Sequence, residues 1–142
     1  VQVNSHLEVT PIQVPHRDEY SETVGFIIKG PHKKALFIPD IDKWNKWKYN
    51  IPDIIKTVDY AFLDGTFYDS EEIGYRNIED IPHPFVVESM ELFKSLSPEY
   101  KKRIFFIHFN HTNTILNPES KQSKEVLEKG FNIARMGDEF TL

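Results

Sequence analysis

The chain has 142 residues, 39% hydrophobic and 27% charged, which is the size and make-up of one folded domain rather than a disordered or fibrous segment. Its net charge of −5 argues against nucleic-acid backbone as a partner, and no apolar run reaches the roughly 18 residues needed to cross a bilayer. Cysteine is absent, so disulfides, thiolate zinc sites and a cysteine nucleophile are excluded together, and any metal must be held by the 6 histidines and the carboxylates.

In chain order, Val1-Gln2-Val3 opens without Met, and no charged-then-apolar leader follows. The expectation is a cytoplasmic chain that is a segment of something longer. Leu7 to Val14 alternates as a half-buried strand, with Pro11 and Pro15 marking an edge or bent course. Thr23 to Lys29 reads as the next strand. The breaker pair Gly30-Pro31 then turns the chain into a third, Lys34 to Ile38.

After Pro39-Asp40-Ile41-Asp42 the rhythm changes to short helices, over Lys43 to Trp47 and Ile51 to Lys56. Val58 to Leu63 is a buried strand feeding Asp64-Gly65-Thr66, and residues 67–82 read as a long polar loop. Pro84 to Leu96 places Val86, Met90, Leu92 and Phe93 at helical spacing. Arg103 to Phe109 is the most apolar strand, Ser120 to Lys129 an amphipathic helix stopped by Gly130, and Phe131 to Ala134 a last short strand. Strands first and β–helix–β units afterwards predict an α/β (α+β layered) fold, a mixed sheet with helices covering one face. No repeat or interior domain boundary interrupts it.

Reactive residues in such folds collect where strands end. Asp40 or Asp42, Asp64, and His108 with His111 all stand at strand ends. The H-x-x-H pair of His108 and His111 suits zinc, iron or manganese, or else caps a turn. Asp42 reads best as a cap for the next turn, whereas Asp40, straight after Pro39, is the better ligand. His83 lies between Pro82 and Pro84 and so has a defined direction, as a proton donor or substrate clamp requires; a solvent-facing loop residue is the plain alternative. His16 also follows a strand and a proline. His6 and His32 have surface contexts. Asp64 either orients a ligating histidine or forms the turn before Gly65. Trp44 and Trp47 fit an amphipathic turn, and no Gly-rich phosphate loop or G-x-S-x-G elbow is present.

The ordered series Pro15-His16-Arg17, Phe37-Ile38 to Asp40, Phe62-Leu63-Asp64-Gly65-Thr66, Pro82-His83-Pro84 and Ile107-His108-Phe109-Asn110-His111-Thr112-Asn113 resembles the C-terminal half of the metallo-β-lactamase superfamily. The branch it is most similar to is the pyrroloquinoline quinone biosynthesis protein B-like one. The resemblance covers almost the whole chain and implies half of an αββα sandwich. By that resemblance Asp40 matches the aspartate that bridges two metals and His108 the last metal-binding histidine. His83 matches a histidine that assists the reaction at the head of a helix, and His16 lines the same cleft. Asp64 and His111 are further candidates.

The implied cofactor is a divalent metal, zinc with iron or manganese as alternatives, one or two ions in the intact protein. The implied activity is hydrolysis of an ester or phosphodiester of a small molecule by a metal-activated water. The alternative is a non-catalytic or cofactor-biosynthesis accessory protein. The family's H-x-H-x-D-H motif is absent from these 142 residues. The expected partner is therefore the N-terminal half that carries it, or a second copy, covering an apolar sheet face.

Overall fold

Runs of β-branched and aromatic residues, broken by Gly-Pro and Asp-Gly turns, form a single seven-stranded sheet in the order β1 to β7. The computed structural model describes residues 1–17, 19–74 and 77–142. Strands β1 (Gln2–Asn4), β2 (Leu7–Val14), β3 (Thr23–Lys29) and β4 (Lys34–Ile38) form an antiparallel meander. From β4 onward the pairing is parallel, through β5 (Tyr60–Asp64), β6 (Ile104–Ile107) and β7 (Asn132–Ile133).

Parallel neighbours need crossovers, and helices supply them. Helix α1 (Ile51–Lys56) joins β4 to β5; its start is capped by Asn50, whose side chain accepts from Asp53 N. Helices α2 (Val86–Leu92) and α3 (Pro98–Lys101) join β5 to β6, and α4 (Lys121–Glu128) joins β6 to β7. Ser120 caps α4 through a 3.0 Å bond from Ser123 N, and Gly130, at φ +88°, ends it.

The strand pattern sorts side chains onto two faces. On one, Leu36, Ile38, Ala61, Leu63, Ile104 and Phe106 are buried in one cluster with helix residues such as Ile55, Met90, Phe93 and Val126. Trp44 and Trp47 close that core from a 3-10 turn, donating to Ser89 Oγ and Gln13 O, both at 2.8 Å. The opposite face carries half-buried Phe26, Phe37, Phe62 and Phe105. Helices therefore cover one face, as the sequence predicts. On the other, Phe140 of the C-terminal segment packs edge-on against Phe62 at 4.7 Å and Phe105 at 4.9 Å.

Five features were not expected from sequence: the short β1, helix α3, the 3-10 turn Thr114–Leu116, and two 3-10 turns, Ser70–Ile73 and Ile78–Asp80, inside the 67–82 loop. Positions 75 and 76 of that loop lie outside the described residues. Among the described residues no helix is long and apolar enough to cross a membrane.

Candidate metal centre

Strand direction gathers the site. Two antiparallel steps from β2 to β4 leave β2 running the same way as β4, β5 and β6, so the C-terminal ends of all four strands lie along one sheet edge. His16 follows β2, Asp40 follows β4, Asp64 ends β5 and His108 follows β6. Backbone bonds lace these ends together: Asp42 N donates to Pro15 O at 2.7 Å, Gly65 N to Ile107 O at 2.8 Å, and Asn110 N to Thr66 O at 2.9 Å. Gly65 is required by that closeness. A Cβ there would stand 2.9 Å from Phe109 Cε1 and 3.0 Å from Ile107 O.

Asp64 is fully buried and its acceptor sites are filled. Oδ2 accepts from Ile41 N at 3.1 Å and lies 2.8 Å from His83 Nδ1, while Oδ1 accepts from Thr66 N at 2.9 Å and Thr66 Oγ1 at 2.7 Å. One carboxylate thus positions the loop holding Asp40, the residue after Gly65, and the His83 ring. Val86 N and Val87 N donate to Phe67 O and Tyr68 O, which seats the His83 loop over the same edge. His16 Nδ1 lies 3.1 Å from Pro82 O, so the two histidine loops also touch, with ring centroids 5.2 Å apart.

Asp40 is the exception among these polar groups. Its Oδ1 lies 3.2 Å from His16 Nε2 and 3.4 Å from His83 Nδ1, yet it is buried and accepts a hydrogen bond from neither. A buried unpartnered carboxylate oxygen is costly unless a cation satisfies it. Ligand atoms of His16, Asp40 and His83 lie within 4.8 Å of one another, and so do those of Asp40, Asp64 and His108. Asp40 belongs to both groups. Imidazole nitrogen and carboxylate oxygen together suit zinc, iron or manganese. The donor set therefore fits a divalent metal.

His108 has an unusual backbone. Among the described residues it is the sole non-glycine with positive φ, at +61°. Such a backbone is disfavoured for a residue with a Cβ and persists where the surroundings impose it. It brings Nδ1 to 3.1 Å from Thr66 Oγ1, beside Asp64. For His83, burial opposes protonation, but the hydrogen bond to Asp64 and the charges of Asp64 and Asp40 outweigh it and raise its pKa.

The structure thus brings together His16, Asp40, Asp64, His83 and His108. It does not bring His111 in. It follows Asn110, whose N donates to Thr66 O, and it is exposed and outside both groups. Asp42 accepts from Lys43 N and pairs with Lys46 at 2.8 Å, but it does not cap the following 3-10 turn as expected: Lys43 holds the cap position and no side chain caps it. Thr66 and Asn113 were missed from sequence as site residues. Asn113 is buried and donates to Gly65 O at 2.7 Å and Thr66 O at 3.2 Å, holding the loop from behind. The signal for Thr66 was its place in Asp-Gly-Thr at a strand end; nothing local marks Asn113.

Residues 1–109 match the family described as the beta-lactamase superfamily domain. The chain belongs to the beta-lactamase superfamily. Curated relatives within this superfamily are Coenzyme PQQ synthesis protein B from Methylobacillus flagellatus, 26% identical over 93% of this chain and 45% of the relative, and from Gluconobacter oxydans, 28% identical over 85% and 40%. The chain spans about half the length of the curated relatives it matches. The crystal structure of Zn2+-bound PqqB from Methylobacterium extorquens superposes over all of this chain and 52% of its own, with a TM-score of 0.79 at 20% identity. This superfamily chain therefore shares the PqqB fold and is similar in sequence to PQQ synthesis protein B.

Proposed function

We propose that this chain carries half of the divalent-metal centre of a protein in cofactor biosynthesis, of the kind its PQQ synthesis relatives are named for. The observation that carries the reading is the buried, unpartnered Oδ1 of Asp40, set between two imidazoles and shared by two groups of ligand atoms. His16 and His83 would join Asp40 on one ion and His108 would join it on the other, while Asp64, its oxygens already filled, holds the surrounding loops. Residues outside the chain, from the remainder of the intact protein or from a second copy, would complete coordination. The same partner would cover the Phe26 and Phe37 part of that sheet face, beside the Phe62 and Phe105 rings on which Phe140 packs. Metal analysis of the intact protein after purification with zinc, iron or manganese supplied tests this: bound metal supports it, and near-zero metal in every case refutes it.

A second reading is favoured by the Asp64–His83 pair. A metal held here would supply a water acidified enough to attack an ester or phosphodiester. Asp64 holds His83 through Nδ1, which leaves Nε2 to protonate a leaving group. The burial of Asp64 keeps that pairing dry and directional. Turnover of a chromogenic phosphodiester by the metal-loaded intact protein supports hydrolysis, and its absence with metal fully bound restricts the protein to the first reading.

A further inference from the structure

Beside His16 and His83 lies a cleft of about 210 Å³, lined otherwise by Arg17, Phe67, Ile81 and Pro82. It is smaller than the clefts that take drug-sized ligands, so it fits a single ring with one attached group. Its walls are of two kinds. Phe67 stands edge-on to His83 at 6.0 Å and to Phe85 at 6.5 Å, which fixes its ring, and Ile81 is buried in a small cluster with Ile73 and Phe85. That side presents flat and apolar surface.

Arg17 supplies the other kind. Its side chain is exposed at the cleft, and among the described residues it has no ion pair or hydrogen bond. An unpaired guanidinium beside an apolar wall is a receptor for a planar or tetrahedral oxyanion, which it can grip through two parallel N–H donors. One cation is too few for a polyanion, and the chain's net charge of −5 repels one.

We infer that Arg17 and this cleft form a subsite for the acid group of a small aromatic or otherwise flat oxyanion, a carboxylate or a phosphate, held next to the metal centre. The inference rests on the metal reading, because without cations the carboxylates of Asp40 and Asp64 would repel the ligand. Arg17 is a specificity residue here and holds no metal.

Calorimetric titration of the zinc-loaded intact protein with phenyl phosphate, benzoate and neutral benzyl alcohol is the test. Either acid should bind more tightly than benzyl alcohol, and the tighter of the two names the acid group. Arg17→Ala should weaken that acid about tenfold or more, Arg17→Lys less, and benzyl alcohol should not respond to either change. Equal affinity for the acid in R17A with zinc retained overturns the subsite alone. Benzyl alcohol binding as tightly as both acids also overturns it. No zinc retained in any sample overturns the metal reading and the subsite with it.

Discussion

The carboxylate of Asp64 and the imidazole of His83 stand 2.8 Å apart, although they are separated by 19 residues and come from different elements, a strand end and the loop before α2. The pair makes a buried acid the organiser of the site. Asp64 is saturated by donors from Ile41, Thr66 and His83, while Asp40 beside it is left open. The first is positioned to build the centre and the second to bind.

Asp64→Asn tests that division. An amide in place of the carboxylate turns one acceptor into a donor that faces Thr66 or Ile41 and His83, leaving buried groups unpaired at a cost of about 1–3 kcal/mol. Urea unfolding of the metal-free variant should show that loss. An unchanged midpoint would mean that Asp64 does not hold the loops.

Gly65→Ala is expected to destabilise through backbone approach rather than lost contacts. The added methyl meets Phe109, the Ile107 carbonyl and Phe106 within 3.1 Å, so the β5 and β6 ends must separate. Overpacking of this kind costs about 1–3 kcal/mol, and the shift should also move Thr66 away from His108. Denaturant unfolding reads the first effect and the His108 ring resonances the second. A variant as stable as the parent, with unmoved resonances, would contradict both.

Most of the fold was legible because its strands are short, apolar and bounded by clear breakers: the limits predicted for β2, β3 and β4 coincide with those observed. What was illegible had no local signal. Helix α3 spans four residues, and β1 is an exposed three-residue pairing that exists because β2 is beside it. At the site, strand-end position pointed to Asp40, Asp64 and His108, and flanking prolines to His16 and His83. The pattern H-x-x-H pointed equally to His111, because a spacing cannot register the turn that Asn110 makes toward Thr66. Asn113 reaches Gly65 across 48 residues, which periodicity does not encode.

Glu72 provides a pH test away from the metal ligands. Burial raises its pKa; the bond from Tyr68 N opposes this without cancelling it. A raised folded-state pKa means that its contribution to stability is full below the unfolded value and is lost as pH rises through the folded one. Glu72→Gln, which keeps an acceptor for Tyr68 N, should therefore unfold at a higher temperature than the parent at pH 7. The difference should shrink toward about pH 4, where the parent carboxyl is protonated. Calorimetry across that range checks it, and a variant less stable at pH 7 would contradict it.

Asp40 should behave in the opposite way to Asp64 when no metal is present. Its Oδ1 has no hydrogen bond to lose, so Asp40→Asn in the metal-free protein at pH 8 should be as stable as the parent or more so. Thermal unfolding measures this. A clear loss of stability would show that Asp40 is a structural residue.

Counting metal in the same variant decides whether Asp40 is the shared ligand. Zinc bound per intact protein, measured by elemental analysis after dialysis, should be retained by the parent and largely lost by Asp40→Asn, because both groups of ligand atoms share that carboxylate. A parent that retains no metal, or a variant that retains as much as the parent, would contradict the account.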